Sequence, residues 1–519
     1  MTDNTSLLTQ PIFEITKRSH HFQVKYLTPG AKSIADSFTR GLISYKLVPI
    51  GGVITKLPDK VYAASDANRS GTRYHINSWL DFVRHLENSG VGPSAVRMIE
   101  QPLKPAPAVQ WEMFDHLSSR DYQDGFINYG VQKTPISKLI QLQTGKGKSF
   151  IAMKIAMLLG ARVALVIKPS FISKWIIDFE KTFKLDKKKD VCVIQGSKSL
   201  LAAIELAKRG EFNFKVVLIS ITTLQAWITT FEAIGAQGLK EMGYDVTPDE
   251  FYEHLGIGLK IIDEVHLFFH FCFKSDLYTH VPQSVCLTAT LTHKDAFMRK
   301  MYALMFPIQD RCKELEYDKY CNIHSVHFEF KDLSLVKTNM RGNPLFSYVA
   351  VENSILKNKV MLQNYLEMLR YNISISFGEC KRPKKKLLIF ASTIDMITKM
   401  IAHVKKLYPF LSVLPYYTDM PFDNVMTADI CISTLGSAGT ALDIPDLTHV
   451  ILTNSVDSEQ SNLQSIGRLR KLPDGFTPEF YYWVAANVPS SMRYHMNKTR
   501  LLAGRALNQI YIPYRASYI

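Results

Sequence analysis

A glycine-rich segment in the first third of the chain constrains the fold more than any other feature. Residues 144–149, Thr-Gly-Lys-Gly-Lys-Ser, follow an apolar run and precede the helical stretch 150–159. Closely spaced glycines let backbone N–H groups close around phosphate oxygens, and a helix N-terminus adds a favourable dipole. The order strand, glycine loop, lysine, hydroxyl and helix therefore predicts a parallel α/β sheet with a phosphate site at this turn.

Two residues at the end of this loop would carry the chemistry of the site. Lys148 would reach the β- and γ-phosphates of a nucleotide, and Ser149 would hold Mg²⁺. The match to the strict pattern is partial, because Leu142 stands where that pattern has glycine. A glycine-rich turn without any ligand is the alternative interpretation.

A pair of carboxylates supports the nucleotide interpretation. Asp263 and Glu264 directly follow an apolar run that ends at Ile262. The C-terminal tips of parallel strands are where such sheets bind their ligands. We expect Asp263 to bind Mg²⁺, directly or through water, and Glu264 to orient the attacking water. A solvated loop is the alternative, and the phosphate loop upstream disfavours it.

Short apolar runs alternate with helical stretches along most of the chain. Such runs are typical of buried parallel strands, and they fall into two sets that are separated near residues 331–343. We therefore predict two α/β units in tandem. The runs are 164–167, 216–219, 259–262 and 285–287 in the first set, and 387–390, 430–432 and 450–452 in the second.

The first hundred residues have a different pattern. The alternating run 22–26 and the helical spacing of 79–86 predict a small α+β accessory domain, and the proline-rich segment 101–107 predicts a linker. The predicted domains are the accessory domain over 1–104, the two α/β domains over 105–335 and 336–480, and a C-terminal extension over 481–519.

The charge of the chain bears on its partners. The 519 residues include 62 Lys and Arg against 47 Asp and Glu, a formal net charge of +15. This surplus favours a polyanion such as nucleic acid, although a basic enzyme without such a partner would show the same balance. Seven scattered cysteines without CxxC spacing indicate a reducing compartment. Without an apolar signal core or a run of ~20 apolar residues, we expect a cytoplasmic protein that does not contact membranes.

Further short motifs accompany the phosphate loop and the acidic pair in a fixed order. They are Gln110, Lys168-Pro169-Ser170, Thr222-Thr223, Thr288-Ala289-Thr290, Ser392-Thr393, Ser433-Thr434, residues 439–443 and the segment from Gln464 to Arg470. The series covers residues 109–471 and resembles superfamily 2 helicases of the DExH type, especially viral members. Phage recombination helicases that branch-migrate and rewind DNA are the nearest in plan, and the poxvirus transcript-release helicase is a relative.

The resemblance implies two RecA-like domains that bind ATP with Mg²⁺ and grip a nucleic-acid strand. It implies catalytic roles for Lys148, Asp263, Glu264 and Arg468, the last as an arginine finger. The residues implied in nucleotide binding are Gln110, Thr144, Gly145, Lys146, Gly147, Lys148, Ser149, Asp443, Gln464 and Arg470. The residues implied in gripping the strand are Lys168, Pro169, Ser170, Thr222, Thr223, Thr393, Ser433 and Thr434.

The last motif departs from the family pattern. Lys471 stands where the family usually has a second arginine, and Arg470 lies one position early. Lysine lacks the planar fork with which a guanidinium grips a phosphate through two hydrogen bonds. We therefore assign the finger to Arg468.

Three functions remain open at this point. The first is a DNA motor that unwinds, branch-migrates or rewinds strands in recombination, repair or replication, and it makes DNA the favoured partner over RNA. The second is an RNA or transcript-release motor, and the third is a nucleic-acid-binding scaffold with a degenerate ATP site. The intact Lys148, Asp263, Glu264 and Arg468 argue against the scaffold. A restriction-type nuclease subunit is disfavoured because no appended nuclease motif is evident.

The accessory segment has basic residues interleaved with aromatic ones. Exposed aromatic rings can stack at the end of a strand while basic side chains follow the phosphates, which would give affinity for duplex or branched DNA. Alternatively, the rings form the core of this small domain. The aromatic residues in question are Phe22, Tyr26, Phe38, Tyr45, Tyr62 and Tyr74.

Overall fold

A computed structural model of the chain describes residues 10–50, 53–291, 295–313, 318–340, 345–418, 420–438, 443–514 and 518–519. The chain divides into two compact units. The first contains the residues up to 313 apart from 143–145, and the second contains 143–145 and the residues after 313. Residues 439–442 of the predicted motif lie outside the described residues, and Asp443 is the part of it that can be examined.

The first unit begins with a small α+β region. Its elements are β1 Phe13–Lys17, β2 His21–Tyr26, α1 Pro29–Arg40, β3 Ile43–Ile50, β4 Val53–Val61, β5 Ala64–Ser65, β6 Gly71–His75, α2 Trp79–Asn88 and β7 Val96–Glu100. Five strands form a mixed sheet in the order β5-β6-β2-β1-β7, in which β1 and β7 are parallel. Strands β3 and β4 form a separate antiparallel ribbon.

The aromatic residues of this region mostly build its core. The ring of Phe22 lies 5.4 Å from that of Phe82, and both side chains are fully buried. Tyr45 on β3 is 44 % exposed, so stacking on a nucleic acid remains open for this ring. The other rings of the predicted set, which are buried or half-buried, are Phe22, Tyr26, Phe38, Tyr62 and Tyr74.

The α+β region is joined to the rest of the first unit by buried polar groups. Arg73 donates to Asp249 at 2.9 Å, and the two side chains are 5 % and 10 % exposed. His20 Nε2 and Ser284 Oγ lie 2.9 Å apart in the same buried layer. One hydrophobic cluster also runs from Phe13 to Phe306. The predicted boundary at residue 104 therefore does not separate two independent cores.

The rest of the first unit is built around a parallel sheet. Its elements are α3 Asp121–Val131, β8 Ser137–Gln141, α4 Lys148–Leu159, β9 Val163–Ile167, α5 Ile172–Thr182, α6 Lys187–Asp190, β10 Val191–Ile194, α7 Ser197–Lys208, β11 Val216–Ser220, α8 Ile221–Glu241, α9 Phe251–His254, β12 Leu259–Ile262, α10 Phe269–Asp276, β13 Gln283–Thr288, α11 Ala296–Met305 and β14 Arg311–Lys313. The seven strands follow the order β10-β11-β9-β12-β13-β8-β14, and every neighbouring pair is parallel. Helices on such a sheet bury both faces, which is why its strands are continuous apolar runs.

The second unit contains another parallel sheet. Its elements are β15 Asn322–Phe328, α12 Tyr348–Lys357, α13 Lys359–Ile373, β16 Lys386–Ala391, α14 Ile394–Leu407, β17 Val413–Tyr416, α15 Phe422–Thr427, β18 Ile430–Thr434, α16 Leu435–Ala438, β19 Leu447–Leu452, α17 Glu459–Ile466, β20 Glu479–Ala485, α18 Pro489–Leu502 and β21 Gln509–Pro513. The strand order is β17-β18-β16-β19-β20-β15-β21, again with parallel neighbours. The predicted apolar runs are confirmed as strands of these two sheets, and the two tandem domains are RecA-like.

Two predicted boundaries need correction. Strand β15 lies between β20 and β21 and is parallel to both, so residues 322–328 belong to the second sheet and the first domain does not extend to 335. Residues 481–519 are not an extension, because they supply most of β20 and all of β21. The prediction assigned β15 to the first domain from its position along the chain, but β15 pairs with strands more than 150 residues downstream. Among the described residues, no helix is long and apolar enough to cross a membrane.

Candidate functional site

The glycine loop lies between β8 and α4, as predicted. Gly145 and Gly147 have φ values of +89° and +80°, in the left-handed region that favours glycine. Thr144 and Lys146 lie in the same loop and are half-buried, and Ser149 occupies the first turn of α4. A Cβ atom on Gly147 would lie 2.5 Å from the side-chain nitrogen of Gln123. The loop backbone is therefore closely packed where only glycine fits.

Gln123, which the sequence prediction missed, holds this loop from α3. Its side chain is buried and donates to the carbonyl oxygen of Lys146 at 3.0 Å, and its Oε1 accepts from the backbone N–H of Arg120 at 3.0 Å. Gln110 is exposed and lies in an irregular segment before α3. The structure therefore brings Gln123, rather than Gln110, to the phosphate loop. The signal for it was a glutamine in the first turn of the helix that immediately precedes β8.

Lys148 and Glu264 face each other beside the loop. The Lys148 ammonium donates to the carbonyl oxygen of Leu142 at 3.3 Å and lies 3.8 Å from Glu264 Oε1. Both side chains are about nine-tenths buried. Glu264 has a φ of +50°, an unusual conformation for a residue with a Cβ atom, and such outliers concentrate at functional sites. The lysine and the carboxylate predicted for catalysis thus form one compact group.

Asp263 is held by a tryptophan from α5. The indole N–H of Trp175 donates to Asp263 Oδ2 at 3.0 Å. Burial and repulsion from Glu264 raise the pKa of Asp263, while the nearby Lys148 opposes that shift. Two adjacent buried carboxylates are a place where a cation would be stabilising, and carboxylate and hydroxyl oxygens suit Mg²⁺. The carboxylate of Asp263 and the hydroxyl of Ser149 therefore fit the metal expected with ATP.

His266 connects the acidic pair with the next strand. Its Nδ1 lies 2.6 Å from the hydroxyl of Thr288, and that hydroxyl also donates to the carbonyl oxygen of Thr290 at 2.6 Å. Nδ1 is also 3.4 Å from Glu264 Oε2. Burial lowers the pKa of His266. A change in the protonation or position of Glu264 would therefore reach the end of β13 through one imidazole ring.

The strand-gripping residues predicted in the first unit follow two other strands of the same sheet. Lys168, Pro169 and Ser170 come directly after β9, and Ser170 is exposed. Thr222 is exposed in the first turn of α8, and the Thr223 hydroxyl accepts from the backbone N–H of Gly196 at 2.7 Å. The carboxyl ends of parallel strands meet at one edge, so these residues share an edge with the phosphate loop.

In the second unit, a buried carboxylate organises the predicted contact at the end of β16. Glu352 on α12 is fully buried and accepts from the backbone N–H groups of Ser392 and Thr393 at 2.7 and 2.8 Å and from the Thr393 hydroxyl at 2.9 Å. Asn454 donates to the Ser392 hydroxyl at 3.0 Å. Burial raises the pKa of Glu352 to about 7. Sequence analysis missed Glu352 because it lies 40 residues before the loop that it holds.

The pair at the end of β18 divides into one buried and one accessible hydroxyl. Ser433 is fully buried and its hydroxyl donates to the carbonyl oxygen of Tyr416, so it does not offer the surface contact predicted for it. Thr434 is half-buried, and its hydroxyl donates to Ser437 at 3.0 Å. Because side chains alternate along a strand, two adjacent residues at its end do not share a surface. Of the two hydroxyls, that of Ser433 is enclosed, and that of Thr434 lies at a half-buried position.

The last motif forms a turn after α17. Arg468 is 1 % exposed, and its Nε donates to the carbonyl oxygen of Gln464 at 3.2 Å. Arg470 Nε lies 3.4 Å from the Asp443 carboxylate, and its Nη1 donates to the carbonyl oxygen of Leu469 at 2.9 Å. The structure thus pairs Arg470 with Asp443, two residues that the sequence assigned separately to nucleotide binding.

Comparisons with known proteins find one matching family and several similar solved structures. Residues 108–293 match the family described as "Type III restriction enzyme, res subunit". No curated protein matches the chain. Among solved structures, UvsW of T4 is similar at 13 % identity and a TM-score of 0.34, over 96 % of this chain and 99 % of its own.

Two structures of a variant of S. cerevisiae Dbp5 are also similar, each at 12 % identity. The one bound to a Gle1 variant and IP6 has a TM-score of 0.46 over 76 % of this chain and 88 % of its own. The one bound to RNA and ADP BeF3 has a TM-score of 0.48 over 75 % and 89 %.

The family match covers the part of the chain that contains the candidate nucleotide site. Residues 108–293 include the phosphate loop, the acidic pair and the strand end at Thr288. A second parallel sheet of the same size follows in tandem. The match over residues 108–293, together with the two tandem parallel sheets, therefore supports an ATP-hydrolysing enzyme of the helicase type.

Proposed function

We propose that the chain is an ATP-driven DExH-type motor that remodels DNA by unwinding, branch migration or strand rewinding, in recombination, repair or replication. The observation that carries the proposal is the compact group of Lys148, Asp263 and Glu264 beside a glycine loop at the ends of parallel strands. The ordered motifs resemble those of phage recombination helicases. This likeness favours DNA over RNA as the partner and a viral setting for the activity.

In this proposal, the first unit supplies the groups that act on ATP. Lys148 neutralises charge on the β- and γ-phosphates, and Glu264 orients and polarises the attacking water. Ser149 and Asp263 would hold Mg²⁺, which neutralises phosphate oxygens when it is bound. Gln123 takes the base-reading role that the sequence had assigned to Gln110.

The second unit would complete the reaction with an arginine. Arg468 is the proposed finger, and it acts on the charge that develops in the transition state. Arg470, Asp443 and Gln464 are the proposed further contacts for the nucleotide. The ion pair between Arg470 and Asp443 supports their acting together.

The grip on nucleic acid would come from strand ends in both units. Lys168, Ser170 and Thr222 supply it in the first unit, and Thr393 and Thr434 supply it in the second. Hydroxyl, ammonium and backbone N–H groups contact phosphates and sugars, which carry no base sequence. Binding should therefore depend strongly on salt and hardly on sequence.

The experiment that tests the partner compares ATPase rates with single-stranded, duplex and branched DNA and with RNA of the same sequence. We expect branched and single-stranded DNA to stimulate hydrolysis more than RNA does. Equal or greater stimulation by RNA would favour a transcript-release motor and contradict the DNA assignment.

A second experiment tests the role of Glu264. Glu264→Gln should bind ATP and hydrolyse it very slowly, so ATP should tighten its binding to a single strand. Glu241→Gln, an exposed change at the end of α8, is the matched control and should behave as wild type. If ATP does not tighten strand binding in the Glu264 variant, the water-orienting role is wrong.

A further inference from the structure

A run of basic residues leads into β16 at the amino edge of the second sheet. It spans residues 381–386, and the structure divides its members into two groups. Lys385 donates to the carbonyl oxygen of Phe377 at 2.8 Å, and Lys386 donates to that of Met426. These two ammonium groups point inward and are occupied by backbone acceptors of the same unit.

Arg382 fixes the middle of this run. Its Nη2 donates to Asp446 at 2.8 Å and its Nε donates to Asp474 at 2.6 Å, and its side chain is 11 % exposed. A guanidinium that binds two carboxylates holds the loop in one geometry. Lys381 and Lys384 are exposed, and among the described residues neither forms an ion pair. An ordered loop therefore presents two of the five cations to solvent.

The loop before β17 adds two lysines and an aromatic ring. Lys405 and Lys406 lie in the last turn of α14, and both are exposed without an ion pair in the part of the chain that the structure describes. Phe410, between α14 and β17, is 98 % exposed. A single exposed apolar residue is common on protein surfaces, so the ring gains its meaning from the lysines beside it.

The two loops are neighbours at one edge of the sheet. Val413 on β17 and Leu387 on β16 both lie opposite Ile430 of β18, the strand between them. Phe410 and Lys384 each come three residues before these positions. Adjacent strands lie ~4.8 Å apart, so the two strand starts are about 10 Å from each other. The loops thus form one surface, here called the basic edge, which consists of Lys381, Lys384, Lys405, Lys406 and Phe410.

Positive charge is in excess at the basic edge. Residues 381–386 and 405–406 contain seven lysines and arginines. Four carboxylates lie in the loops at the same ends of the strands, namely Glu379, Asp429, Asp446 and Asp474. Two of the four are already bound by Arg382. The four exposed lysines are therefore not neutralised by their own unit, and a polyanion is the complementary partner.

Nucleic acid fits both the charge and the ring. Lysines contact phosphates as point charges, and an exposed aromatic ring can stack on a base at the end of a duplex. The proposed contacts for a single strand, Thr393 and Thr434, lie at the opposite, carboxyl ends of β16 and β18. The six residues of β16 span about 17 Å, so a strand that follows the carboxyl edge does not meet the basic edge. A separate segment of nucleic acid is needed there.

We propose that the basic edge binds the duplex arm of a branched DNA. Lysines of the two loops contact phosphates of the arm, and Phe410 stacks on the base pair at the branch point. The inference rests on the proposed function, because it requires a DNA partner that offers a duplex as well as a single strand. It assigns the two edges of the second sheet to two segments of the same molecule.

The chain contains a matched basic run in the first unit. Residues 187–189 are three lysines that form most of α6. Asp186 precedes them and Asp190 follows them, and the Lys189 ammonium lies 4.0 Å from Asp186. Acidic residues thus accompany these lysines, and Lys187 and Lys188 are exposed in the same way as the lysines of the basic edge.

The test compares Lys381→Ala, Lys384→Ala with the control Lys187→Ala, Lys188→Ala in the full chain. Binding to a forked DNA and to a single strand is measured without ATP at several salt concentrations. The first pair should lower the log–log salt slope on the fork by about 1.8, at ~0.9 for each phosphate contact on duplex DNA. Its slope on the single strand should stay that of wild type, and the control should match wild type on both.

Three results would overturn the proposal. The first is an unchanged slope on the fork, and the second is an equal decrease in the control, which would make the effect one of overall charge. The third is an equal decrease on the single strand, because the lysines would then belong to the strand grip. Single-strand stimulation of ATPase in wild type is the separate check, since its absence would count against the proposed function itself.

The ring is tested with Phe410→Ala and Phe410→Tyr. Because the side chain is 98 % exposed, neither change should alter thermal melting. Phe410→Ala should weaken binding to the fork by about tenfold and leave binding to an unbranched duplex unchanged, since stacking needs an open base pair. Phe410→Tyr keeps the ring and should bind the fork as wild type does. Undiminished fork binding in Phe410→Ala, or an equal loss on the unbranched duplex, would contradict stacking at the branch point.

Discussion

The two parallel sheets have the same number of strands and the same direction of pairing, yet the groups at their strand ends differ. At the first sheet, these ends carry the charged residues Lys148, Asp263 and Glu264. At the second, the ends of β16 and β18 carry the hydroxyls of Thr393 and Thr434. Two sheets of the same kind therefore present different chemistry, because the residues that directly follow each strand set the groups at its edge.

The difference extends to how each edge is stabilised. At the first sheet, charges balance one another across short distances, as Lys148 does with Glu264. At the second, a single carboxylate, Glu352, is surrounded by N–H and hydroxyl donors. Replacing Lys148 should thus affect chemistry at the first edge, whereas replacing Glu352 should affect loop geometry at the second.

The largest effect is expected at the first edge. Lys148→Ala should abolish ATP hydrolysis and leave the fold intact, because the ammonium that neutralises the phosphates is lost. Steady-state ATPase in the presence of nucleic acid measures this. Lys154→Ala removes the same charge from the middle of α4 and should retain activity. More than about a tenth of wild-type activity in the Lys148 variant would refute the site, since so central a group should matter more.

Substitutions of Arg468 and Arg470, in the turn after α17, test whether the second unit also contributes charge to the reaction. Arg468→Ala should lower kcat by ~10³ or more while changing ATP binding little, as expected for a finger. Arg470→Ala should cost less, because its guanidinium already pairs with Asp443. Since Arg468 is buried, thermal melting of each variant must accompany the kinetics. Equal losses in kcat at the two positions would mean that the finger is misassigned.

A buried ion pair in the first unit, Arg73 with Asp249, has a structural role, and Arg73→Ala tests its contribution to stability. This change leaves Asp249 buried without its closest cation, and breaking a buried pair in this way costs about 3–5 kcal/mol. Urea denaturation of the full chain measures the loss. Arg84→Ala, an exposed arginine of α2, should have almost no effect.

The buried contacts of Arg73 and His20 also change the expected effect of removing the residues before Leu103. From sequence, a chain that begins at Leu103 should keep its single-strand-stimulated ATPase, since every catalytic motif lies later. The structure instead predicts an unstable first unit, because Asp249 loses Arg73 and Ser284 loses His20. A truncated protein that melts like the full chain would contradict the role of these buried contacts.

A feature of the fold or the site can be predicted from sequence when the residues that define it lie close together along the chain. The phosphate loop, the acidic pair and the apolar strands are local patterns, and the structure has them where the sequence predicts them. The glutamine that contacts the phosphate loop is encoded less locally. Gln110 and Gln123 both precede β8, and only contact with Lys146 distinguishes Gln123.

Features that depend on long-range pairing were missed. Strand β15 joins the second sheet by pairing with β20 and β21, and periodicity within residues 322–328 contains no information about those partners. Glu352 gives no signal in sequence either, since a lone glutamate on an amphipathic helix is usually solvated. Its burial and its three donors become visible only when α12 packs against the end of β16.

The smallest effect is expected at Glu352, and it concerns pH. Its pKa is raised from 4.5 to about 7 because burial disfavours the carboxylate. Between these values the unfolded chain is ionised while the folded chain keeps the proton, so the folded state binds more protons. The contribution of Glu352 to stability is therefore fully present below pH ~4.5 and is lost as pH rises through about 7.

Glu352→Gln removes this titration and should remove the corresponding fall in stability, which is roughly 3 kcal/mol. Urea denaturation at about four pH values between pH 5 and pH 8 would measure this fall in stability. Glu367→Gln, a change at a half-buried carboxylate on the neighbouring helix α13, controls for the loss of a carboxylate elsewhere in the unit. Wild type and Glu367→Gln should lose stability in parallel over this range, whereas Glu352→Gln should lose less. A parallel loss in all three proteins would mean that Glu352 is ionised throughout. The loop of Ser392 and Thr393 would then be held by a permanent charge, as at the first edge, and the contrast between the two edges would disappear.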